Sequence, residues 1–115
     1  MTFTAAQIEG AVHQGWIPPW LPKNAHTLKE HHDPNTKASI LVFSFPESDN
    51  WTPPSACLRV QPLEVRAPSV TASWWPKDVP ASTAAAVRHA YYSCADAREY
   101  LAVDFARGDG FHWRP

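Results

Sequence analysis

Glycine is scarce in this chain, with four among 115 residues. Neither G-x-G-x-x-G nor G-x-x-x-x-G-K-S/T occurs, so a phosphate cradle built from backbone N–H groups is not expected. An excess of charge is also lacking: 10 basic side chains face 11 acidic ones, and no long run of either sign occurs. Without a basic footprint to offset phosphates, nucleic acid is not an expected partner. No apolar stretch approaches the ~20 residues needed to cross a bilayer. The opening MTFTAAQIEG has neither the basic start nor the apolar core of a secretory leader, so a cytoplasmic location is expected. Cysteine is limited to Cys57 and Cys94, with no C-x-x-C pair. That spacing gives weak support for zinc, and in a cytoplasmic protein both thiols are expected to be free and buried, a disulfide requiring export by another route.

Tryptophan and proline are abundant, with six of the first and 12 of the second. They fall together in WIPPWLP, WTPP and WWPKDVP. A hydrophobic share of 44% suits a globular chain, and the length suits one domain over residues 1–115.

Residues 3–14 read as a helix. Thr4 and Gln7 have the spacing of a capping box, Phe3 and Ile8 that of a hydrophobic staple, and Gly15 is placed to end the helix in a left-handed turn. In WIPPWLP, Pro18, Pro19 and Pro22 fix their own φ angles and push the residues before them toward extended geometry. A stiff connection follows, anchored by Trp16, Ile17, Trp20 and Leu21. Asn24 can cap a short helix running to His31, ended by Asp33-Pro34-Asn35. Residues 38–45, ASILVFSF, read as a strand with two apolar faces, hence covered on both sides. Thr52-Pro53-Pro54 can start another short helix through Val60, and alanine-rich 81–87 a third. Residues 90–94 and 99–106, then FHWR after a reversal at Gly108 and Gly110, form an antiparallel meander. The expected fold class is therefore α+β: a small sheet of about four strands with an N-terminal helix and short helices packed on it.

The pattern made by Trp16, Ile17, Pro18, Leu21, Pro22, Ala25, Leu28, Glu30, His32 and Asp33, with the pair Trp74-Trp75 and the final Asp104, Gly110, Phe111 and Trp113, resembles the YbbD-head-like family of small bacterial proteins. The resemblance implies a compact α+β domain of unassigned function. Many members follow a membrane anchor or lipoprotein signal, whereas this chain opens directly at the domain. The family carries no catalytic residues that transfer to it.

The densest group of potential ligands is His26, Glu30, His31, His32 and Asp33. On a helix His26 and Glu30 share a face and could offer an imidazole and a carboxylate to a divalent metal, with His32 or Asp33 beyond the helix end. The pattern is not H-E-x-x-H, and histidines near a helix C-terminus have an ordinary role against its dipole. A turn at His31 could instead pair Glu30 with His32. That pair is half of a catalytic base arrangement, but none of Ser39, Ser44, Ser73 and Ser93 sits in a nucleophile elbow. Asp104, mid-strand, could be a half-buried carboxylate, or more simply face solvent or pair with Arg107, Arg98 or His112. No catalytic set and no cofactor is expected.

Six tryptophans cannot all be deep in so small a domain, and exposed indoles are common on recognition surfaces. Trp16, Trp20, Trp51, Trp74 and Trp75 are therefore the expected surface for a protein partner or a homodimer. The competing expectation is a small-molecule or divalent-metal site, conceivably hydrolytic, using His26, Glu30, His32 and Asp33 with Asp104 nearby.

Overall fold

The computed structural model describes residues 2–8, 10, 15–80 and 88–115. Six strands form one antiparallel sheet: β1 (His26–His32), β2 (Ser39–Ser44), β3 (Leu58–Val60), β4 (Ala90–Cys94), β5 (Glu99–Asp104) and β6 (Asp109–Arg114). Their order across the sheet is β1-β2-β6-β5-β4-β3. The chain thus makes a hairpin, β1–β2, and docks it on the last strand of a β4–β5–β6 meander.

Both faces of the sheet are buried, because β2 and β5 are apolar at consecutive positions and alternation sends neighbours to opposite sides. Leu41, Phe43, Leu101 and Val103 belong to one core, with Phe3, Ile17, Leu21, Ala25 and Leu28. Ile40, Tyr91, Tyr100, Ala102 and Trp113 belong to the other. That second face is covered by the proline-broken stretch through Val65, Val70, Ala72, Trp74, Trp75 and Val79. Indoles pin this stretch in place of regular structure. Trp113 Nε1–H donates to the Arg66 carbonyl at 2.7 Å, and Trp75 Nε1–H to that of Val79 at 2.8 Å.

The α+β expectation is overturned. Among the described residues the one α-helix, α1 (Phe3–Ile8), has six residues, and the other helical pieces are 3-10 turns at Glu47–Asp49 and Pro62–Glu64. The protein is largely β. Residues 26–31 and 58–60, expected as parts of short helices, belong to the two edge strands. Their neighbours β2 and β4 would otherwise carry a row of unpaired backbone groups, and pairing outweighs a weak helical preference. The α1 cap also differs: the Thr2 hydroxyl, not that of Thr4, accepts a backbone N–H, from Ala5 at 3.0 Å. The side chains of Gln7 and Ile8, residues 11–14 and the helix expected at 81–87 lie outside the described residues.

Gly108 in the β5–β6 turn and Gly110 in β6 have different duties. Gly108 has φ of 72°, and a Cβ there would run into the Phe45 carbonyl. Gly110 needs no positive φ; it leaves room for the Phe43 ring lying across it.

Cys57 and Cys94 form a disulfide, where free thiols were expected. The bond joins the residue before β3 to the end of β4, so the short edge strand is tied covalently to its neighbour. No described helix is long and apolar enough to cross a membrane.

Candidate functional site

In β1, Leu28, Glu30 and His32 turn toward the sheet's first core while Lys29 and His31 are exposed. The strand period of two sets Glu30 and His32 side by side. His32 Nδ1–H donates to both carboxylate oxygens of Glu30, at 2.9 and 2.8 Å. Trp16 lies flat on the His32 ring, with centroids 3.6 Å apart and planes within 8°.

The same polar row continues across the sheet. His32 is opposite Ser39, and Ser39 is opposite Arg114. Arg114 Nη2 is 3.8 Å from Glu99, whose other oxygen accepts from His112 Nε2–H at 2.7 Å. Trp20 meets the His112 ring edge-on at 5.8 Å. The tryptophan–proline segment therefore bridges two Glu–His pairs, one indole at each. Ile17 and Leu21 bury between those indoles, and Trp51 Nε1–H holds the Trp20 carbonyl at 3.3 Å. At its exit, Asp49 accepts from the Asn24 backbone N–H at 2.8 Å and from its amide at 2.7 Å.

The two pairs differ in environment. His112 is 1% exposed, and its Nδ1 has no hydrogen-bond partner among the described residues. Burial pushes its pKa below the usual imidazole value, against the pull of Glu99. The hydrogen bond from His112 in turn holds the Glu99 carboxyl below the usual carboxylate range. A neutral imidazole donating to an ionised carboxylate satisfies both. His32 is more open to solvent, with 30% of its side chain exposed. A carboxylate-oriented imidazole can act as a base. Ser39, the residue opposite it, is buried and makes no hydrogen bond to it, so no nucleophile is engaged.

Beyond the Glu30–His32 pair, the sequence-expected polar residues do not converge. His26 Nδ1 is bonded to the Thr27 hydroxyl at 2.9 Å, and Asp33 accepts the Asn35 N–H at 2.8 Å to shape the turn into β2. Asp104 is buried on the other face of the sheet, away from Glu30, and accepts the Arg107 N–H at 3.1 Å. Among the described residues no group of three His, Cys, Asp or Glu side chains could hold a metal ion. The five tryptophans also divide: Trp20 and Trp51 pack on the first core, Trp74 and Trp75 on the second, and Trp16 on His32. All five are half-buried. Glu99 as a site residue and His89 had no signal in the sequence. His112 had one, the alternation of F-H-W-R that turns it inward.

The outer edge of β1 pairs with no strand among the described residues. Beside it lies a groove of about 220 Å³, lined by Thr27, Lys29, Val42, Trp74, Asp109 and Phe111 among others. The register of β1 shifts between His26 and Lys29, at Thr27 with φ of 54°, so the regular edge runs from Leu28 to His32.

A small antiparallel sheet with both faces covered, a tryptophan–proline bracket over two Glu–His pairs and an edge of β1 that no described strand pairs is the class of domain these features define. A family model for the YbbD head domain matches residues 1–44, which supports a YbbD-head-like assignment over α1, the bracket, β1 and β2. Trp74, Trp75 and the C-terminal residues that share the resemblance lie outside that match. No characterised protein and no solved structure matches the chain.

Proposed function

We propose that this domain is a non-enzymatic protein-interaction module that takes an extended segment of a partner along the free edge of β1. One apolar side chain of that segment enters the groove beside Trp74. The observation that carries this reading is the adjacency of an unpaired strand edge and an apolar groove, the two parts of recognition by strand addition: main-chain bonds for affinity, a side-chain pocket for specificity. Lys29, exposed at the groove, favours an acidic residue beside the apolar one. A second copy fits less well. Antiparallel self-pairing centred on β1 sets Lys29 opposite its own symmetry mate, and centring on Glu30 opposes two carboxylates. Of the tryptophans, Trp74 is the anchor; Trp16, Trp20, Trp51 and Trp75 hold the framework. The Cys57–Cys94 bond supports an oxidising compartment for this encounter.

The test is selection of displayed linear peptides on the immobilised protein, then binding measurements on wild type, Trp74→Ala and Lys29→Glu. Recovered peptides should carry an apolar residue and an acidic residue at strand spacing, and should weaken at least tenfold on either variant, a loss of about 1.4 kcal/mol or more. Peptides indifferent to both substitutions would sink the proposal. A dimer in sedimentation velocity that Trp74→Ala dissolves would make the occupant a second copy.

A further inference from the structure

Across the second face of the sheet, one row of polar side chains runs from the groove beside Trp74 to a buried histidine. Ser44 is opposite Asp109, and Asp109 is opposite Asp104. One step beyond the pair Ala90–Val103, His89 comes level with Asp104. Alternation puts all four on one face, two residues along from Val42, Phe111, Ala102 and Tyr91. His89 is 5% exposed and held by ring contacts, edge-on to Phe111 at 5.3 Å and to Tyr91 at 6.3 Å. No described residue hydrogen-bonds its imidazole. Its nitrogens are not among the sealed, unpartnered atoms, so they reach the surface of a cleft of about 270 Å³.

The charges that face His89 come from three parts of the fold: Asp78 in the stretch covering this face, Asp104 of β5 and Asp109 of β6. Arg88, its chain neighbour, stands 3.8 Å from Asp78. Glu64 shares the cleft and takes the Gln61 N–H at 2.6 Å. Arg59 lies on the opposite face, its guanidinium carbon 5.7 Å from the centroid of its cross-strand partner Tyr92. Burial pushes the His89 pKa below the usual imidazole value, against the pull of Asp78 and Asp104. Asp104 and Asp109 are like charges set directly opposite, which costs free energy in a sheet. Asp104 takes the Arg107 N–H at 3.1 Å, and Arg107 Nε is 4.0 Å from its other oxygen. Asp109 accepts from the Ser44 hydroxyl at 3.0 Å and has no ion pair among the described residues. Asp109 and Phe111 are also walls of the groove beside Trp74. His89 thus reaches that groove through one carboxylate row and one ring.

We infer that His89 is a proton switch for this groove: its imidazolium draws Asp104 and Asp109 toward itself, loosens Asp109 from Ser44 and repacks Phe111. The effect on binding rests on the reading of the groove as a peptide site; the coupling of His89 to the groove does not. With the charge of Asp109 offset, an acidic residue near Lys29 meets less repulsion, so the partner segment binds tighter at acid pH.

The experiment follows the histidine ring C–H resonances and the Trp74 indole N–H resonance by NMR. The free protein is taken from about pH 8 to about pH 5, which brackets the ordinary imidazole value. Trp74 should shift with the midpoint of His89, and not with that of His26 or His31, the exposed histidines of β1. His89→Gln should remove that shift. In Asp109→Asn, which keeps an acceptor for Ser44, His89 should still titrate, at a lower pH for want of one carboxylate, and Trp74 should no longer follow it. Asp109 is half-buried, so this variant decides should His89→Gln fail to fold. Selected peptides should bind wild type about fivefold tighter at the acid end, a modest coupling between sites, and His89→Gln equally at both ends. A Trp74 resonance that ignores His89, or that follows it unchanged in Asp109→Asn, overturns the inference. Recovery of no peptide overturns the groove reading instead, and the resonance titration still decides the coupling.

Discussion

A buried imidazole with one nitrogen bonded to a carboxylate and the other bonded to nothing is stable only while it is neutral. Protonating His112 would add an N–H with no acceptor in reach, which is why burial outweighs Glu99 in its pKa. The unfolded chain takes up that proton more readily, so stability falls as pH drops below the ordinary imidazole value near 6.5. His89, lowered by burial against Asp78 and Asp104, acts in the same direction. Glu99 adds a second loss further down: its depressed pKa stabilises the fold above the ordinary carboxylate value, and that contribution disappears as pH falls through the folded one. Melting temperature followed from pH 8 to pH 3, rough limits that bracket both reference values, should decline in two stages. In Glu99→Gln the lower stage should be absent, and stability at neutral pH should drop by about 2 kcal/mol for the lost charged hydrogen bond. A profile unchanged by the substitution would contradict the assignment. Little of this was legible beforehand. Glu30 and His32 stood out because they are close in sequence, while Glu99 and His112 are joined only by the β5–β6 register.

The edge strands are where local preference and tertiary demand part company. The strands β2 and β5 and the β5–β6 reversal were readable because β-branched, aromatic and glycine residues carry local signals. HTLKEHH has no such signal; its one clue is the alternation Leu28, Glu30, His32, and its state is decided by the open edge of β2. Strand β3 has only three residues, and Leu58 within it is 66% exposed. Its hold on the sheet therefore depends on the disulfide next to it. With the cysteines 37 positions apart, closing that loop is worth about 3–4 kcal/mol. The double variant Cys57→Ala/Cys94→Ala should lose roughly that much in urea unfolding. Hydrogen exchange at 58–60 should quicken first, with β2, β5 and β6 protected longest. Equal acceleration in every strand would show that the bond steadies the whole sheet and not its edge.

For the whole molecule, the interesting boundary is Ser44, where the match to the YbbD head domain stops. Residues 1–44 contain α1, the bracket and the β1–β2 hairpin, but neither core complete. Leu41 and Phe43 need Leu101 and Val103, and Ile40 needs Tyr100 and Trp113. A two-stranded hairpin is marginal in water by itself. An isolated 1–44 peptide should thus give an unfolded circular-dichroism spectrum and regain strand signal only when mixed with the remaining chain. A cooperatively melting peptide would mean that the bracket supplies a core of its own. The double coverage of β2 could be anticipated from its two apolar faces, but what covers the second one could not: residues 61–79 have no period, and their place is set by indole hydrogen bonds to Arg66 and Val79.

The position of β6 has a consequence in time. It lies third from one side of the sheet, yet its residues, 109–114, are made about 65 residues after the β2 segment they pair with. At synthesis rates of roughly 5–20 residues per second, β2 waits several seconds with one edge unclaimed and with its core partner Trp113 not yet made. Throughout that interval the nascent chain is a substrate for chaperones and for its neighbours, and a translational pause before Asp109 would lengthen the exposure more than a pause anywhere after it.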